Sequence, residues 1–216
     1  MRDLRRRDLI LVALTFAAGS VDAVVFLRLE VFTAVMTGNI VFLGVAIGQG
    51  AVRNALRSLV ALGAYAAGVL VGSRLVAAAP KDASRLPRLG RALGLEGALQ
   101  AVFLVGWVAA GAVPDGVIAA ALIACSGVAM GTQAAAARAL APGMPTTYVT
   151  GTLTALLSEL SALGGLGSDW WRRAAIVLAL GVGAITGALV LTVAPLLAPA
   201  VPLVVIGGVL VARRAD

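Results

Sequence analysis

The chain has no histidine, one cysteine and one lysine, and only 12% of its 216 residues are charged. Without imidazole, the usual His-containing zinc sites and the Ser-His or Cys-His nucleophile pairs are excluded. Cys125 alone can form no intramolecular disulfide, and it says nothing about redox compartment. No cluster of carboxylates stands ready for acid–base or metal work, so an enzyme is disfavoured, with no cofactor and no metal expected. Lys81 stands against sixteen arginines in an Ala- and Gly-rich chain, which points to a GC-rich bacterial genome.

What fills the space left by charge is apolar. Hydrophobic residues make up 61% of the chain and mean hydropathy is +1.02, whereas a soluble domain carries roughly 25% charged residues. Five stretches (9–27, 59–79, 92–113, 116–137 and 174–194) approach or exceed the roughly 20 apolar residues that cross a bilayer. A sixth, 195–211, is shorter and interrupted by proline, and ends in Arg213-Arg214. The expected fold is an all-α integral membrane protein forming one polytopic domain over 1–216. The net charge of +7 lies in loops and termini, where topology explains it better than nucleic acid does. Arg5-Arg6-Arg7 before 9–18 imitates a secretory or twin-arginine signal, but the first repeat described below begins inside that segment.

Two short segments break the apolar runs in the same way. The segment 32–39, ending in Thr37-Gly38-Asn39, follows a run containing Asp22, and the segment 145–152, ending in Thr150-Gly151-Thr152, follows one containing Gln133. Each precedes a Gly-x-x-x-Gly helix, Gly68/Gly72 and Gly183/Gly187, at separations of 35 residues from Thr37 to Gly72 and 37 from Thr150 to Gly187. This spacing predicts two internal repeats, about 9–113 and 116–212, as in many small transporters. Residues 40–47 read as a half-helix, with Thr37 or Asn39 as its cap and Gly38 easing the turn. A broken helix in hydrocarbon survives only where it is buried in protein or lines a wet cavity. Candidate solute-binding residues are therefore Asp22, Thr37, Gly38, Asn39, Gln133, Thr150, Gly151 and Thr152. The competing reading of Asp22 is an interfacial charge or a pair with Arg28; that of the motifs is packing alone.

Topology follows from the positive charges. With the Thr-Gly segments re-entrant and six spans, thirteen Lys/Arg lie inside and only Arg28, Arg53 and Arg57 outside, Arg74 remaining in the membrane. With eight spans the division is ten to six. Six spans plus two re-entrant or broken helices is the better count, placing both termini in the cytoplasm of a bacterium and inverting one repeat against the other. Arg74 and Glu96, each about one turn inside the membrane and flanking the basic loop of Lys81, Arg85, Arg88 and Arg91, are expected to form a structural ion pair, with Gln100, one turn beyond Glu96 on the same face, extending that network or lining the pore. The glycine pairs suit close packing between repeats, and a homo-oligomer stays open. Trp107 and Trp170-Trp171 read as interfacial anchors.

The segments Ala18-Gly19-Ser20-Val21-Asp22-Ala23, Phe26-Leu27, Met36-Thr37-Gly38-Asn39, Gly131-x-Gln133 and Thr147-Tyr148-Val149-Thr150-Gly151-Thr152-Leu153-Thr154 together resemble the YoaK-like family of bacterial membrane proteins. The resemblance spans nearly the whole chain. It implies membrane helices in a domain of unknown function and supplies no substrate. Where relatives often carry Asn after the Gln of the second copy, this chain has Ala134. The function expected is a small secondary transporter or channel in the inner membrane, with the lipid bilayer and an unidentified small solute as partners. An accessory or scaffolding membrane protein is the alternative.

Overall fold

A computed structural model describes residues 2–77, 85–140, 149–161 and 169–214. Lys81 and residues 145–148, which open the second motif, lie outside the described residues. Eight α-helices appear within them: α1 (Arg2–Leu29), α2 (Met36–Gly48), α3 (Val52–Ala77), α4 (Arg85–Ala109), α5 (Gly116–Leu140), α6 (Val149–Ser161), α7 (Trp170–Val193) and α8 (Ala200–Arg214). A 3-10 turn, Pro195–Leu197, joins α7 to α8. Six apolar stretches are long enough to cross a membrane, Arg6–Leu29, Val52–Ala77, Leu89–Ala109, Gly116–Leu140, Trp170–Val193 and Pro195–Ala212, while α2 is shorter. Among the described residues the fold is all-helical, with six candidate membrane-spanning helices.

The spans of α1 and α5 are 67% and 56% buried, against 17–33% for the other four. These two helices are the centre of the bundle. Their middles are rich in Ala, Gly and Ser, which leave room for neighbouring backbones. α1 packs chiefly on α7, and α5 chiefly on α3. At both crossings glycine makes the approach possible. A methyl group at Gly183 or Gly187 would lie within 3.0 Å of the backbone of Phe16 or Ser20 on α1. Gly68 and Gly72 meet Val128 and Thr132 of α5 at the same range. The glycine pairs serve intrachain helix packing.

Polar contacts fix which ends lie together. Arg57, early in α3, reaches the Leu29 carbonyl oxygen at 3.3 Å, Glu30 at 3.6 Å and Asp115, just before α5, at 3.3 Å. At the opposite end Arg6 donates to the carbonyl of Ala212, and Arg172 of α7 lies 3.6 Å from Asp8. α1 therefore ends where α3 and α5 begin, and α5 runs opposite to α1. Trp107 corrects the sequence reading: it is fully buried, and its indole Nε1 donates to the Pro195 carbonyl at 2.8 Å. It ties α4 to the turn before α8 and anchors nothing at the lipid interface.

Candidate functional site

α1 stops at Leu29 because Glu30 adopts a left-handed backbone (φ 62°), its N–H still bonding Phe26 at 2.9 Å. The chain then turns back into the bundle. Asp22 lies seven residues before the end of α1, about 10 Å along the helix. Its Oδ1 accepts from the backbone N–H of Thr33 at 2.6 Å and of Ala34 at 2.8 Å, and from the Thr33 hydroxyl at 3.3 Å. Its Oδ2 accepts from the N–H of Val35 at 2.9 Å. Three consecutive N–H groups thus converge on one carboxylate, an anion-binding nest closed from within the protein. These donors stand immediately before α2, whose N-terminal end adds favourable dipole.

Asn39 completes the turn from the other side. Its Oδ1 accepts from the N–H of Phe32 at 2.9 Å, and its Nδ2 donates to the carbonyl of the same residue at 2.6 Å. Gly38 lies under the Phe32 ring, where a Cβ would come within 2.8 Å of Cδ2. The ring stacks on Phe26 and Phe42, with centroids 4.9 and 5.6 Å away. The Ser126 hydroxyl of α5 donates to the Thr33 hydroxyl at 2.9 Å. After this turn α2 packs on α3 and joins it through three intervening residues, so both ends of the 30–51 segment return to the same end of the bundle. It is re-entrant.

The expected cap is corrected here. Neither Thr37 nor Asn39 caps α2: the N-cap is Val35, with no local side-chain bond, and the capping carboxylate comes from α1. Thr37 is exposed on the outer face of α2. Asp22, Gly38 and Asn39 are brought together around residues 32–35, but they are engaged with the chain's own backbone. A cavity of about 440 Å³ does open beside Asp22, between α1 and α7. Its exposed wall is apolar, formed by residues such as Ala23, Phe26, Leu180 and Ile185. Gln133, fully buried on α5, donates through Nε2 to the Leu14 carbonyl at 3.1 Å, two turns from Asp22 along α1.

The second motif stands apart. Thr150 is exposed and Gly151 and Thr152 are half-buried on α6, which packs on α7, its Glu159 pairing with Arg173. α2 and α6 do not pack on each other, so Thr37, Asn39, Thr150 and Thr152 do not form one site among the described residues.

Arg74 and Glu96 are not paired either. α5 is wedged between α3 and α4, leaving Arg74 on an outer face of α3. Glu96 is fully buried, and neither carboxylate oxygen has a partner. The sequence placed it one turn inside the membrane. The apolar span of α4 is Leu89–Ala109, so Glu96 lies about 10 Å in and Gln100 next to the midpoint. Gln100 is also fully buried, with Oε1 and Nε2 both unpartnered. Sequence reasoning offers Gln100 as an extension of the ion pair or as a pore-lining residue, from its spacing of four residues from Glu96. Ser126 carried no signal, because its role exists only once residue 33 has folded back against α5.

The role of Asn39 is directly testable. Asn39→Ala leaves the Phe32 N–H and carbonyl unpaired and is expected to cost about 2 kcal/mol, read as a lower melting temperature in detergent. Thr37→Val, on the outer face, is expected to change stability by less than about 0.5 kcal/mol. Equal effects would remove the structural distinction between the two residues.

Comparison with known proteins agrees with this membrane fold and assigns no activity. The chain is 36% identical over 157 residues to the UPF0700 transmembrane protein YoaK of Bacillus subtilis (strain 168), covering 72% of this chain and 68% of that protein. No solved structure matches. Residues 10–212 match the family described as "Protein of unknown function (DUF1275)", and the chain belongs to that family of membrane proteins.

Proposed function

We propose that the chain is a small secondary transporter or channel of the bacterial inner membrane, built from two inverted repeats, about 9–113 and 116–212. The observation that carries this reading is that the main helix contacts map onto one another when α1 is exchanged with α5, α2 with α6, α3 with α7 and α4 with α8, apart from α3–α4, whose α7–α8 counterpart is at most weak. The α1–α7 contact becomes α5–α3, α1–α8 becomes α5–α4, and α2–α3 becomes α6–α7. The α1–α5 and α4–α8 contacts map onto themselves.

The correspondence extends to single backbone atoms. Gly183 and Gly187 approach the carbonyls of Phe16 and Ser20; Gly68 and Gly72 approach those of Val128 and Thr132. Val128 and Thr132 stand 112 positions after Phe16 and Ser20, and Gly183 and Gly187 stand 115 after Gly68 and Gly72. Gly19 meets the Leu180 carbonyl and the Ala184 nitrogen, while Gly131, 112 positions on, meets the Tyr65 carbonyl and the Val69 nitrogen, each 115 positions earlier than its counterpart. Because α5 runs opposite to α1, such a twofold lies in the membrane plane, the architecture on which many secondary transporters alternate access. The same offset sets Ala134, rather than Gln133, opposite Asp22, so the second copy lacks the carboxylate of the first.

With Cys125→Ser as background, Arg53→Cys and Arg172→Cys are expected to react with an impermeant thiol reagent from opposite sides of the membrane, Arg53→Cys from the periplasm. Labelling of both from one side would remove the inverted repeat. Proteoliposomes are expected to accumulate at least one solute of a metabolite panel. Folded protein that moves none would favour the accessory reading, which gains support from the use of Asp22 and Asn39 on the protein's own turn.

A further inference from the structure

Most buried polar side chains of the bundle are satisfied from within the protein. Thr15, Ser20, Asp22, Thr33, Asn39, Ser126, Thr132 and Gln133 each have a hydrogen-bond partner within the protein. Glu96 and Gln100 have none, although both are 0% exposed, Glu96 about 10 Å inside an apolar span and Gln100 next to its midpoint. Leaving a carboxyl and an amide unsatisfied there costs several kcal/mol, and intramembrane acids mark ion or proton pathways. We propose that Glu96 is a proton-binding site inside the membrane-spanning bundle, with Gln100 as its hydrogen-bond partner in the protonated state. The inference rests on the transporter reading for the proton's passage, though not for its binding.

The donor set selects the ligand. Glu96 and Gln100 offer three free oxygens between them and one negative charge. Calcium takes about 6–8 oxygens, and no group of three or more His, Cys, Asp and Glu that could hold a metal ion exists among the described residues. A proton needs one oxygen. It converts the carboxylate into an acid with one O–H donor and one carbonyl acceptor. Gln100, four residues on and therefore on the same helix face about 6 Å along the axis, offers the complement: Oε1 to accept that O–H and Nε2 to donate back. Acid and amide then satisfy each other without any third group. Loss of the proton to water on one side, and its recovery from the other, leaves the protein unchanged.

The charged neighbours do not neutralise Glu96 in another way. α5 carries Cys125, whose Sγ donates to the Leu99 carbonyl of α4 at 3.2 Å, and Arg138, which is exposed. On α3, Tyr65 faces α5, Arg53 and Arg74 are exposed, and Arg57 is held by Glu30 and Asp115. Residues 200–212 of α8 contain no ionisable side chain, although α8 packs directly on α4 and its Ile206 and Leu210 lie beside Gly97.

Infrared spectra of the purified wild type and of Glu96→Gln, a near-isosteric change whose folding is checked by melting temperature, test the site. The wild type is expected to show a carboxylic-acid carbonyl stretch that disappears in Glu96→Gln and shifts in frequency in Gln100→Leu. If no such band depends on Glu96 at any pH the protein survives, the proton site is overturned. Proton flux into proteoliposomes, followed with an enclosed pH dye, is expected to fall at least tenfold in Glu96→Gln. Solute flux in the absence of the Glu96 band would overturn the proton site and leave transport standing. The band with no flux of any kind would support the site and overturn the transporter reading instead.

Discussion

Asp22→Ala is expected to lower stability by about 4 kcal/mol or more, enough to prevent folding of a marginal membrane domain. The substitution removes the acceptor for three consecutive backbone N–H groups, of Thr33, Ala34 and Val35, and Thr33 and Ala34 are fully buried. Each orphaned buried donor costs about 1–3 kcal/mol, and bonds to a charged acceptor sit at the upper end. Water cannot replace the carboxylate at this position, because the neighbouring cavity is walled by apolar side chains. Asp22→Asn is expected to cost less. An amide oxygen can still serve Thr33 and Ala34, but its NH2 would face the Val35 N–H. The melting temperature in detergent should therefore fall in the order wild type, Asn, Ala. An Ala variant as stable as the wild type would mean that the nest does not hold the re-entrant turn.

That carboxylate shows what the sequence carried and what it did not. The six spans were legible because apolar length is a one-dimensional property; 116–137 became Gly116–Leu140 and 174–194 became Trp170–Val193. The break at Thr37-Gly38-Asn39 was legible for the same reason, and the short helix after it is Met36–Gly48. The glycine pairs were legible as packing surfaces, since close helix approach in lipid has few other chemical solutions. The partner of Asp22 was hidden. A polar residue eleven to thirteen positions from its donors meets them only because the chain folds back, and no periodicity encodes that return.

Glu96 was misplaced for a different reason. Charge assigns Arg88 and Arg91 to the loop, which starts the span at 92 and leaves Glu96 one turn from the surface. α4 begins at Arg85 and its apolar span at Leu89, which moves Glu96 towards the middle and out of reach of Arg74. Exposed arginine is a good helix former, so charge marks the end of the hydrocarbon layer without marking the end of the helix. Trp107 was misread on the same logic. Being near a span end says nothing about which way the ring faces, and this one faces inward to Pro195.

The glycine crossings carry the other large expected effect. Gly68→Ala and Gly183→Ala should each cost about 3 kcal/mol or more, because the new methyl would overlap the carbonyl of Val128 or Phe16 and force two helices apart. The obstacle is backbone in both cases, with no flexible side chain to give way. Two other glycines on the same helices provide the control. Gly63 on α3 and Gly181 on α7 have nothing within 4 Å of an added Cβ, so Gly63→Ala and Gly181→Ala should be neutral or stabilising by up to about 1 kcal/mol through helix propensity. The four variants separate close packing from a general intolerance of alanine, and melting temperature reads all four. The pairing of costs also bears on the repeat. If the α1–α7 and α3–α5 crossings are equivalent interfaces, Gly68→Ala and Gly183→Ala should lose similar stability, and the double variant should be close to additive because the two sites share no contact. A severe effect at Gly183 with a silent Gly68, or damage at Gly63 and Gly181 equal to that at the crossings, would break the equivalence on which the inverted-repeat reading stands.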